Sequence, residues 1–131
     1  MDKKYLSKII ATDNEGLQVI SACCSGAEVK VDQIKYLQKN KVFLLSLKRS
    51  KVETDEKDKK VTSICKFEFV DRVKSKNIKQ DNFDKKLELI GMDYLKNNDN
   101  YEINLMFKNK AYITLSTEII EVTLDDQNKA D

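Results

Sequence analysis

Acid–base chemistry in this chain would fall to carboxylates, because its 131 residues include no histidine. Histidine exchanges a proton near neutral pH most readily and is the usual nitrogen ligand for transition metals. Without it there is no Ser-His or Cys-His nucleophile pair. The acidic candidates are Glu53, Glu68, Glu102, Glu118 and Glu121. Two carboxylates do acid–base or glycosidic work when their surroundings push their pKa values apart. Glu68, Glu102 and Glu121 fall in apolar–polar alternation and read as solvent-side strand residues. Glu118 interrupts an apolar stretch and stands apart from them.

Arg49 and Arg72 are the only arginines. Arg49 with Glu53 could hold an anion or a partner's carboxylate. The plainer reading is a surface ion pair contributing about 0–1 kcal/mol. Lys74, Lys76 and Lys79 make a local basic stripe beside Arg72, with no aromatic stacking set to accompany it. The formal net charge is only +2 and nearly all the positive charge is lysine, a flexible point charge that argues against specific nucleic-acid recognition. Ser46 and Lys48 share a strand face, too little context for a Ser-Lys nucleophile. Cys23, Cys24 and Cys65 would need an added carboxylate to bind zinc. They read instead as reduced, buried thiols of a cytoplasmic protein, since their number is odd, two are adjacent and no CxxC occurs. Gly16, Gly26 and Gly91 are the only glycines, so there is no phosphate-binding loop. No cofactor, metal or catalytic residue is assigned.

The elements that would position these residues are mostly strands. Hydrophobic residues (40%) recur in blocks despite 35% charge, which fits one folded domain, residues 1–124, followed by a flexible tail, 125–131. No stretch approaches the length of a membrane span, and the N-terminal apolar run is too short for a signal peptide. Tyr5 to Ala11 reads as a strand. Thr12 to Cys24 reads as a helix opened by a Thr12–Glu15 capping box, with Leu17, Ile20 and Cys24 as its buried stripe, widened by Val19 and Cys23. Gly26 supplies the left-handed residue after it. Ala27–Val31, Ile34–Leu37, Val42–Lys48, the run from Val61 and Leu87–Leu95 read as strands, and Ser50–Lys60 as a charged loop. The alternation slips at Phe69-Val70, the mark of a bulge or sharp bend. Tyr101–Phe107 and Ala111–Leu115 flank a hairpin loop at Lys108-Asn109-Lys110. Glu118–Leu124 suits a strand better than a short helix, because Ile, Val and Thr dominate it. A short echo links Tyr36-Leu37, a turn and VFLLSL with Tyr94-Leu95, a turn and YEINLMF. A duplicated strand–turn–strand unit would explain it, and so would chance.

Four segments resemble an alphaproteobacterial family known as a domain of unknown function, DUF2948: Ile9–Ala22, Ile34–Glu53, Lys60–Ile78 and Ile113–Asp126. The second ends in the family's Arg-x-x-x-Glu, here Arg49 and Glu53. Ser50 and Val52 stand where the family tends to have aromatics, and Lys66 where it often has histidine, so those groups are not essential to a shared role. The resemblance implies a compact bacterial, cytoplasmic domain and no particular activity.

The fold expected is α+β: a curved antiparallel sheet or small open barrel with one N-terminal helix packed on it. The function expected is a small cytoplasmic non-catalytic binding or adaptor domain with a protein partner and no membrane contact. The alternatives are a carboxylate- or serine-based enzyme and, more weakly, an RNA-binding accessory protein. Arg49, Glu53, Glu118, Arg72, Lys74 and Lys76 are the binding candidates. Glu118→Gln is expected to leave folding intact, and Thr12→Ala to cost roughly 0.5–2 kcal/mol through loss of the helix cap.

Overall fold

The computed structural model describes residues 6–51, 56–79 and 85–127. Strand β1 (Lys8–Ala11) leads into the helix α1 (Asn14–Cys24). Asp13 caps this helix: its backbone is extended, and Gly16 N donates to its Oδ1 at 2.8 Å. Thr12 therefore lies outside the helix, because the adjacent aspartate is the better N-cap acceptor. Leu17, Ile20, Cys23 and Cys24 are buried as the periodicity requires, but Val19 is 51% exposed and does not widen the stripe. Gly16 is fixed by crowding, since a Cβ there would stand 2.9 Å from Ala11 Cα.

The remaining chain forms β2 (Glu28–Leu37), a 3₁₀ turn at Gln38–Asn40, β3 (Val42–Lys51), β4 (Glu56–Phe67), β5 (Val70–Lys76), β6 (Lys86–Asn97), β7 (Asn100–Phe107), β8 (Ala111–Thr117) and β9 (Val122–Asp126). The two short strands expected within 27–37 are one strand, interrupted by a register shift between Val29 and Ile34. Within the charged loop expected over Ser50–Lys60, Ser50 and Lys51 instead end β3 and Glu56–Lys60 begin β4, the two strands pairing from Phe43↔Phe67 to Lys51↔Glu56, and residues 52–55 lie outside the described residues. The slip at Phe69-Val70 is a sharp corner in which Phe69 takes a left-handed φ of 58°. Glu118–Leu124 divides into a second corner, through Glu121, and β9. Asp125 and Asp126 lie in that strand and not in a tail.

All strands join one open antiparallel sheet in the order β1-β9-β4-β3-β2-β6-β7-β8-β5. With β1 set aside, this order is the same from either end. Strands β2-β3-β4 form a meander whose next strand, β5, crosses to the other half and pairs with β8. Strands β6-β7-β8 form a second meander whose next strand, β9, crosses back to pair with β4. The halves meet at Glu28↔Glu88, Val29↔Leu87 and Lys30↔Lys86. Beside that junction, Leu89 N donates to Ala27 O at 2.9 Å and Val31 N to Lys85 O at 3.0 Å, two bonds related by the same pseudo-twofold axis. The Tyr36-Leu37 and Tyr94-Leu95 echo falls on the corresponding strands β2 and β6.

In the first half, β1 pairs along β9 while α1 packs on β6, β1 and β3. Ser21 Oγ accepts from Met92 N at 2.8 Å, and Leu17, Ile20 and Cys24 are buried beneath α1. In the second half, the equivalent gap lies between β2 and β5. It is bridged at one end, where Tyr36 donates its hydroxyl to Val70 O at 2.8 Å.

Because Asp13 and not Thr12 accepts the helix N–H, Asp13→Ala should lower stability by about 1 kcal/mol, and Thr12→Ala by less than about 0.5 kcal/mol. Urea unfolding of the two variants ranks them, and the reverse order would place the cap at Thr12.

Candidate functional site

The most deeply buried polar group is Arg49, on an inward-facing position of β3 and fully shielded from solvent. Its Nη2 donates to Asp126 Oδ1 at 3.0 Å, its Nε to Ser63 Oγ at 3.1 Å and its Nη1 to Ser50 O at 3.3 Å. Ser63 Oγ in turn donates to the same Asp126 oxygen at 2.6 Å. Ser7 N donates to Asp126 Oδ2 at 2.8 Å, and Lys51 Nζ lies 3.6 Å from that oxygen. The cluster joins β3, β4 and β9 to the segment entering β1. Burial pushes the Asp126 carboxyl up, but the Ser63 hydroxyl, the Ser7 amide and the Arg49 guanidinium outweigh it and hold the group below the ordinary carboxylate value. Arg49 thus faces an internal carboxylate 77 residues away. Glu53 lies outside the described residues.

Glu118 sits in the second corner, half exposed. Lys41 Nζ lies 3.2 Å from Glu118 Oε1 and 3.0 Å from Asp71 Oδ1. The hydrogen bond that Lys41 donates to Asp71, then that to Glu118, raises the Lys41 pKa. The three charges tie the turn before β3 to both corners on the surface. Glu68 is likewise 3.1 Å from Lys66. Of the carboxylates singled out in the sequence, Glu68 and Glu118 are therefore held in separate ion pairs, and Glu102 borders a different surface hollow.

Arg72, Lys74 and Lys76 lie on one face of β5, opposite Ser116, Thr114 and Tyr112 of β8. All three are exposed and point away from the core, while Val73 and Ser75 face inward opposite the buried Leu115 and Ile113. The structure keeps this stripe apart from Arg49 and from Glu118.

The inward face of β5 borders a feature that the sequence reading missed. Between β5 and the far part of β2 lies a cavity of about 440 Å³, walled chiefly by Val31, Ile34, Tyr36, Phe43, Val73 and Ile78. Asp32, Lys35 and Ser75 edge it. Its size and apolar lining are those of a binding cleft. The one local sign in the sequence is the polar Asp32-Gln33 step between two apolar runs, where β2 shifts register and leaves β6.

Cys23, Cys24 and Cys65 are buried and outside any disulfide, and burial, reinforced by the neighbouring Cys24, pushes the Cys65 thiol well up. Among the described residues, no group of three or more Cys, Asp and Glu side chains is placed to hold a metal ion. No described helix is long and apolar enough to cross a membrane.

The chain belongs to the family described as protein of unknown function (DUF2948), whose model matches residues 7–131. No curated protein and no solved structure matches it.

Asp126→Asn leaves Arg49 facing a neutral amide in the interior, which should cost about 3–5 kcal/mol at neutral pH. The folded-state pKa of Asp126 lies below its unfolded value of about 3.9. Its contribution is therefore present above that value and lost as pH falls through the folded one. Urea unfolding between about pH 7 and pH 2 should show a smaller acid loss in Asp126→Asn than in the parent. Parallel pH curves would mean that Asp126 titrates alike in both states.

Proposed function

We propose that this chain is a non-catalytic domain that binds a protein partner in the cleft between β2 and β5. The observation carrying this reading is the cleft itself, an apolar trough whose counterpart in the other half of the sheet is filled by polypeptide, α1 and β1. Apolar surface left open between two strand edges is the usual mark of a contact surface. The separate ion pairing of Glu68 and Glu118 adds support, since acid–base catalysis needs its carboxyl groups beside a common substrate. Buried cysteines outside any disulfide support a cytoplasmic setting.

Ser75 is exposed at the edge of the cleft, so Ser75→Arg obstructs it without touching the core. Parent and variant should share a melting temperature. A protein retained by the tagged parent in ribonuclease-treated host lysate, once purified, should bind the variant at least about tenfold more weakly. Equal binding by both overturns the proposal. So does a turnover activity that Glu118→Gln abolishes at unchanged stability.

A further inference from the structure

We infer that the partner enters the cleft as a β-strand, an extended segment of alternating apolar and acidic residues that pairs with the free edge of β5. This rests on the binding reading above and specifies what is bound. Among the described residues, strand β5 ends the sheet and pairs with β8 alone. The strand in its place in the other half, β9, carries β1 on the corresponding edge.

That internal pair shows what the edge accepts. Ile9 and Ala11 of β1 turn inward, opposite Leu124 and Val122, while Lys8 turns outward, opposite Asp125. The added strand here thus places Ile9 and Ala11 over the core and Lys8 beside the oppositely charged Asp125, while the outward Ile10 lies opposite Thr123. Applied to β5, the same rule sets apolar residues opposite Val73 and Ser75, reaching into the cleft. It sets acidic residues opposite Arg72, Lys74 and Lys76, where cross-strand pairs of opposite charge are favourable. The main-chain hydrogen bonds would supply affinity and the alternate side chains selectivity.

Among the described residues, no second segment like the strand–helix arm lies along this edge. In the first half, Lys8–Cys24 supplies both β1 and α1. Between β5 and β6 only residues 77–85 intervene, a length that cannot provide a strand and a three-turn helix. The cations also bear on what the ligand is. A polyanion such as RNA would answer Arg72, Lys74 and Lys76 but not the apolar wall below them, whereas an alternating strand answers both.

The test uses an end-capped octapeptide alternating valine and glutamate, titrated into the whole protein. The first control replaces glutamate by lysine, and the second has the valines and glutamates in two blocks. The alternating acidic peptide should bind roughly tenfold more tightly than either control. It should slow amide hydrogen exchange along Arg72–Lys76, as new strand pairing requires. Lys74→Glu combined with Lys76→Glu, both at exposed positions, should reverse the preference toward the lysine peptide at unchanged melting temperature. Equal affinity for the three peptides overturns the inference. So does binding that shifts residues of the cleft without protecting β5, or oligouridylate binding at β5 in place of the peptide. If Ser75→Arg releases a purified partner yet the alternating peptide does not bind, strand addition fails and the binding reading stands. If Ser75→Arg leaves that partner bound, both fail.

Discussion

Strands β2 and β6 pair over only three residues each, Glu28–Lys30 against Lys86–Glu88, and the rest of the architecture depends on that brevity. Beyond the short ladder the two strands part. Each continues beside its own hairpin partner and presents its other edge to a gap. The divergence follows from sheet twist together with the register breaks at Val29/Ile34 and Leu89/Gly91, since bulges bend a strand and increase its twist. Like charges directly opposite each other, Glu28 with Glu88 and Lys30 with Lys86, would oppose the junction. The diagonal approach of Lys86 Nζ to Glu28 Oε1 at 3.8 Å relieves part of that opposition. The buried Val29–Leu87 pair at the pseudo-twofold axis supplies the apolar contact that holds it.

The two gaps meet different fates because the halves carry different extras. The first receives β1 and α1 and is locked by the Arg49–Ser63–Asp126 cluster. A buried ion pair is a poor source of net stability, because desolvation offsets most of the attraction. Its stronger effect is on register. Asp126 must reach both Arg49 and the Ser7 amide, so β9 cannot slide along β4 or β1 without stranding a buried charge. The second gap has no such lock and stays open as the cleft. One half is closed and fixed by charge, and the other is open and apolar.

The sequence made local features legible in proportion to how local their physics is. The β7–β8 hairpin, the left-handed Gly26 and the buried face of α1 all follow from neighbouring residues. The corner at Phe69 showed itself as a slip of alternation. Thr12 and Glu15 match a capping box, but Asp13 stands between them and competes for the same N–H group. Charge misled at the Lys51–Glu56 end of the β3–β4 pair and at Asp125-Asp126. Lysine and aspartate there read as loop or tail, whereas cross-strand pairing in one case and a buried arginine in the other keep them in strands. Arg49 stood out by its rarity, but nothing in the sequence pointed to Asp126, 77 residues away, as a partner. The cleft had almost no sequence signature, because the β2 residues that wall it face Phe43 of β3, Val73 and Ser75 of β5, Ile78 and Ile113 of β8, all distant in sequence.

An open strand edge beside an apolar trough is an aggregation hazard unless something discourages self-pairing. Strand β5 carries that deterrent on its outward face. Were two copies to join antiparallel through β5 about a twofold axis at Lys74, Lys74 would face its own counterpart, and each Arg72 would face a Lys76. Like charges directly opposite on adjacent strands are destabilising, so the cations that leave the edge soluble also reject the most abundant strand available to it, another copy of itself. They do so without rejecting strands in general: a segment with carboxylates at those positions turns each repulsion into an attraction. On the strand-addition proposal, repulsion of the wrong partner and selection of the right one would be one property of Arg72, Lys74 and Lys76. This accounts for cations on that face better than solubility alone, since charges of either sign would have kept the edge in water.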